Sequence, residues 1–281
     1  MDSKIATAIQ LAHEPVAILW SDEKPEGASM FKEKTWGCTL WLMAGAAKGK
    51  VSACSRETFG CFGGGTGVGF GDQYVNFPGG VECFCRFLSS GNAGNKQGES
   101  VAENIKQFAT PEFVEEFLQG ERYLKNPAAV RSFIEQLPTR DIPAEYVVYK
   151  PLSKVDLSRE TPEVVVFFSD PDQFSAIGVL ANYSFEGEEN VKIPYAAGCQ
   201  AIGLYAYQEA ENEHPKAIAG PMDLSARLYL RNQFGENVMS MSIPWKMFLT
   251  MEEHVDGSFL QRHTWSELLK TKKGYLEFSL E

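Results

Sequence analysis

Segments from the first third of the chain recur in its second half, in the same order and at nearly constant spacing. VAILWSDEKPEG from Val16 is matched by VVVFFSDPDQFS from Val164, WGCTLWLMAGA by AGCQAIGLYAY, and FGCFGGGTG by AGPMDLSAR. GDQYVNFPGGVECFCRFL is then matched by GENVMSMSIPWKMFL. Cys38 and Cys199 lie 161 residues apart, Cys61 and Asp223 162, and Pro78 and Pro244 166. An ordered repeat restricts the fold more than composition does, because one supersecondary plan must serve both copies. It predicts an α+β protein made of two similar α/β units from an internal duplication, with mixed sheets, helices packed on them, and a pseudo-twofold axis between the units. The cleft between such units is the natural place for a pocket. Cys38 and Cys199 then occupy matching positions, each after a glycine at the start of a helix, where they can face each other.

VAILW and VVVFF are continuous apolar runs bounded by turn residues, the pattern of fully buried strands. Helices are expected over Ser3 to Ala12 and from about Cys38 to Ala47, the second stopped by glycines. KVSACSRETF reads as a strand, the glycine-rich stretch after it as a ligand-binding loop or an irregular turn, and QYVNFPGGVECFCRFL as a strand with a short helix. Three short helices between Ser100 and Leu137 are signalled by Ser100 with Glu103, Thr110 before Pro111 and Asn126 before Pro127. Farther on, Asp170 is placed to cap the helix QFSAIGVLANY. The organisation expected is a first repeat over residues 1–99 containing the Cys/Gly-rich loop, a helical connector over 100–144, and a second repeat over 145–281.

The chain of 281 residues is 44% hydrophobic and 22% charged, ordinary for a folded globular protein. It has no apolar run long enough to cross a bilayer. Its first residues, MDSKIATAIQLAHEP, show no export signal, so a cytoplasmic location is expected. A net charge of −11 disfavours nucleic acid and anionic membranes as partners, leaving a small molecule, a redox partner or a second copy in a homodimer.

Six cysteines in such a chain point to free, metal-bound or reactive thiols more than to a disulfide framework. Five of them lie between Cys38 and Cys85. A cysteine at a helix start is expected to have a lowered thiol pKa, because the unpaired amides favour thiolate, the form that binds metals. Cys38, Cys54, Cys61 and Cys199 supply the four sulfurs that a 4Fe-4S cluster or a closed zinc site uses. Cys83 and Cys85, alternating on the strand expected there, point to opposite faces and cannot share a metal. In CSRETFGCFGGGTGVGFG no lysine with Ser/Thr closes a P-loop and no glycine trio fits GxGxxG, so phosphate-loop spacing is excluded. A looser nest of amides at Gly63, Gly64 and Gly65 is the cofactor-binding candidate. His13, His214, His254 and His263 share no spacing that specifies a nucleophile or metal triad. Asp223 and Arg227, opposite the glycine loop in the repeat, are candidates for a polar cleft.

The PVAI strand, the Gly-Cys before a helix, CFGGGTGVGFG, FPGG followed by FCRFLSSG, VVYKPL, and AGCQAI with PMDLSAR together resemble the ArCR family, domain of unknown function 169. The resemblance spans nearly the whole chain. The family is common in archaea and anaerobic bacteria, and its cysteines match Cys38, Cys61 and Cys199 here. An oxygen-poor setting suits an iron–sulfur centre. The expectation is therefore a protein holding a 4Fe-4S cluster, with zinc the second choice, between its halves, with electron transfer or redox chemistry on a small molecule as its role. The alternative is a non-catalytic binding protein whose interlobe cleft takes an organic ligand, lined by Trp36, Trp41 and Phe62. A reactive Cys61 thiol ranks last, since no histidine is placed to activate it.

Overall fold

The computed structural model describes residues 1–278, with 272–278 as helical backbone only. In chain order its strands are β1 (Val16–Ser21), β2 (Ser52–Ser55), β3 (Tyr146–Pro151), β4 (Val164–Ser169), β5 (Val191–Lys192), β6 (Ala217–Gly220) and β7 (Met239–Pro244). Its helices are α1 (Lys4–Ala8), α2 (Thr39–Ala47), α3 (Phe62–Val68), α4 (Gly80–Phe87), α5 (Lys96–Ile105), α6 (Pro111–Gln119), α7 (Pro127–Gln136), α8 (Pro171–Ser184), α9 (Gly198–Gln200), α10 (Ala206–Ala210), α11 (Leu224–Phe234), α12 (Trp245–Glu253) and α13 (His263–Phe278). A π-helical segment, Ala201–Tyr205, joins α9 to α10 without a break. Among the described residues no helix is long and apolar enough to cross a membrane.

The chain divides into two compact units. The first, Met1–Val68 with the chain from Ile142 on, carries one mixed seven-stranded sheet in the order β2-β3-β1-β4-β7-β6-β5. β1 and β4 meet antiparallel at the centre, with Val16 opposite Val166 and Ile18 opposite Val164. Every other pairing is antiparallel too, except β5 with β6. β4 is buried at all six positions, which is why its sequence is apolar throughout instead of alternating. One face of the sheet, with Ala17, Leu19, Val148, Val165, Phe167 and Met241, packs on α1, α8 and α12 through Ile5, Ile177, Leu180, Phe248 and Met251. Glu252 of α12 accepts the Lys4 amide at 2.7 Å and the Ile5 amide at 3.2 Å, so a buried carboxylate holds the start of α1. The alternate residues, among them Cys54, Tyr149, Ile18, Val166 and Ser242, point to the opposite face.

The second unit, Gly69–Asp141, holds α4 to α7 around Tyr74, Phe77, Phe84, Phe87 and Phe117, with the Tyr74 and Phe84 rings stacked at 4.1 Å. Its two ends are tied by the Gly71 amide donating to the Arg140 carbonyl at 3.0 Å and by a bridge between Phe70 and Asp141. These compact units measure something other than the repeat boundaries drawn from sequence.

Several local expectations hold. Thr110, Asn126 and Asp170 cap their helices, and Asp170 forms a full capping box with Gln173; the first helix also forms, capped by Ser3, but ends at Ala8 and not at Ala12. Others are corrected. Residues 73–87 contain no strand: a 3-10 turn, Gln73–Asn76, leads to α4, whose Phe84 and Phe87 recur at helical spacing. Cys83 and Cys85 are thus helical and buried. The fourth pair of recurring segments is consequently unlike in structure, a turn and helix against β7 and α12. Ser100 lies inside α5, which starts at Lys96 under the Asn95 cap.

The glycine-rich stretch is a helix, not a turn. Glycine is a poor helix former, so the reason must be tertiary. A Cβ at Gly67 would stand 2.8 Å from the Cys199 backbone carbon, and one at Gly203 would stand 2.1 Å from the Gly67 carbonyl oxygen. Only bare backbone lets α3 approach the α9 segment this closely. Gly203→Ala is therefore expected to destabilise the protein by about 1–3 kcal/mol or more in urea denaturation. Gly178→Ala in α8, where an added Cβ meets nothing within 4 Å, is expected to stabilise it by about 0.5–1 kcal/mol.

Candidate thiol site at converging helix starts

Four helix starts of the sheet-bearing unit come together on the sheet face that carries Cys54 and Tyr149. Cys38 stands at the N-cap of α2 and its carbonyl accepts the Trp41 amide at 2.9 Å. Cys61 immediately precedes α3; its carbonyl accepts the Gly65 amide at 2.8 Å and its Sγ accepts the Gly64 amide at 3.2 Å. Cys199 lies in α9 and its Sγ donates to the Gly63 carbonyl at 3.1 Å. Asp223 caps α11, accepting the Ala226 amide on Oδ1 at 2.5 Å, while its Oδ2 accepts the Gly198 amide. One carboxylate therefore ties the start of α11 to the start of α9.

Glycines set the approach. A Cβ at Gly60, whose φ is +84°, would fall 2.2 Å from the Gly37 carbonyl oxygen, so the loops feeding Cys61 and Cys38 touch backbone to backbone. At Gly64 a Cβ would meet Thr39 Cγ2 at 3.0 Å and Cys61 Sγ at 3.2 Å. Gly63, Gly64 and Gly65 thus address their polar groups to Cys199 and Cys61. Beside them the Thr39 hydroxyl is buried with no hydrogen-bond partner among the described residues.

The electrostatics reverse one expectation. The Leu40 and Trp41 amides do pull the Cys38 thiol down, but burial first and then the neighbouring Cys61 outweigh them and push it up to about 12. Burial also raises Cys61 against the Gly64 amide, with Asp223 adding to the rise. Cys199 is held well above the usual thiol range by burial, Cys61, Cys38 and Asp223. The Asp223 carboxyl is itself raised by burial, against the amides of Ala226, Gly198 and Ser225. A helix start favours thiolate locally, but desolvation and mutual repulsion of like charges win here. Burial thus works against the thiolate at all three cysteines.

Three of the four proposed sulfur ligands are brought together and one is not. Cys54 lies in β2, fully buried, its Sγ 3.5 Å from the Tyr149 hydroxyl and its thiol pushed up to about 12 by burial. Burial, and then Cys54, hold the Tyr149 hydroxyl well above its usual range, with Cys199 adding to the rise. Neither Tyr149 nor Thr39 carries a sequence signal; both emerge only from the sheet register and the helix approach. Asp223 was legible as a polar residue opposite Cys61. Arg227 turns instead to the Val238 carbonyl at 3.4 Å and Met239 Sδ at 3.1 Å. Among the described residues no group of three or more His, Cys, Asp and Glu side chains is placed to hold a metal ion.

Trp36 and Trp41 are 54% and 36% exposed, and Leu224 and Leu228 of α11 are 64% and 56% exposed. Trp36 and Trp41 pack edge to face at 5.7 Å, and Trp41 packs on Tyr229 at 5.3 Å. These apolar groups stand on the segments that carry Cys38 and Asp223.

His13 belongs to another surface, tilted on the Phe234 ring at 4.8 Å. Burial and then Lys48 hold its pKa below the ordinary 6.5. With the folded value depressed, its contribution to stability is complete above the unfolded value and is lost as pH falls below about 6.5. In urea titrations across pH 5–8, His13→Gln is expected to show a flatter decline than wild type on the acid side.

A family model, that of the uncharacterised ArCR family, domain of unknown function 169, matches residues 4–254. No curated protein and no solved structure matches the chain.

Proposed function

Starting from a chain that belongs to the uncharacterised ArCR family, we propose that Cys38, Cys61 and Cys199 hold an iron–sulfur cluster, giving the protein a redox or electron-transfer role. The observation that carries this reading is the gathering of three thiols and one carboxylate at four helix starts, with backbone amides aimed at the sulfurs. Burial first, and then the neighbouring acidic groups, hold these thiols in their protonated form, and a bound iron core would supply the positive charge that favours thiolate. The orphaned Thr39 hydroxyl is a donor available to a bound group. A cluster suits the arrangement better than zinc, because a single ion needs all donors around one point whereas a cluster binds each thiolate at a different iron. When bound, the group would supply one-electron exchange. The chain's own part is to fix the sulfurs on rigid helix starts, donate amide hydrogen bonds to them, and limit water through the glycine-mediated packing.

The duplication belongs to the same reading. Strand order β2-β3-β1 on one side of the central pair is mirrored by β6-β7-β4 on the other, and β1 and β4 are antiparallel, as a pseudo-twofold between them requires. In that scheme α2 corresponds to α9 with α10, α3 to α11, and β3 to β7, so the Pro244 counterpart is Pro151, at the end of β3, and not Pro78. Cys38 then pairs with Cys199 and Cys61 with Asp223, each half giving two helix-start residues.

A small molecule or redox partner would settle on the exposed surface of Trp36, Trp41, Leu224 and Leu228. Protein purified without oxygen is expected to be coloured, to contain iron and acid-labile sulfide in equal amounts with little zinc, and to bleach on reduction. Cys61→Ser should lose most of the iron. Colourless, metal-free wild type would overturn the reading in favour of a binding protein with buried thiols.

A further inference from the structure

No further inference is drawn: the strongest candidate, the exposed apolar surface patch of Trp36, Trp41, Leu224 and Leu228 beside the starts of α2 and α11, carries nothing because nothing in the structure shows what covers it.

Discussion

Where the helical run through Ala201–Tyr205 crosses α3, Gly203 lies against the Gly67 carbonyl with no side chain between them. The separation of packed helices is set by the side chains at their contact, and here there are none. The contact draws Cys199 to the Gly63 carbonyl and leaves its sulfur beside the start of α3. A second bare contact, Gly60 on the Gly37 carbonyl, does the same for the loops that deliver Cys61 and Cys38. The sheet provides the platform, these two backbone contacts bring the starts of α2, α3 and α9 to one region, and the Asp223 carboxylate ties α11 to them.

That region is electrostatically unusual. Each helix start offers amide donors that favour negative charge, and each also carries an acidic group, so the local chemistry of one helix is repeated where the groups repel one another. In isolation Cys38 would be an activated thiol. Withdrawn from water, and beside Cys61 and Asp223, it is pushed up to about 12 instead. Burial and neighbouring like charge thus both work against ionisation in this region.

Much of the fold was legible in the sequence. VAILW and VVVFFS read as buried strands because continuous apolar runs suit a strand covered on both faces, and they became the central pair of the sheet. Thr110-Pro111, Asn126-Pro127 and Asp170-Pro171 marked helix starts through chemistry contained within a few residues. What failed was whatever depended on distant atoms. FGGGTGV opposes its own helix propensity and is helical only because another backbone lies against it. QYVNFPGGVECFCRFL mixes strand-like and helical spacing, and burial of Phe84 and Phe87 among other rings selects the helix. Cys54, counted as a fourth sulfur although the family's cysteines match only the other three, is directed by its strand register toward Tyr149. The rise of the thiol pKa values likewise follows from desolvation, which no local motif reports.

The unit formed by Gly69–Asp141 leaves and rejoins the chain at one place, since its ends are clasped by Phe70 with Asp141 and Gly71 with Arg140. An inserted segment with adjoining ends imposes no stretch on its host, whatever its own length. A change of length inside Gly69–Asp141 can therefore be absorbed beyond the clasp, without pulling on the strands and helices to either side of it in the chain.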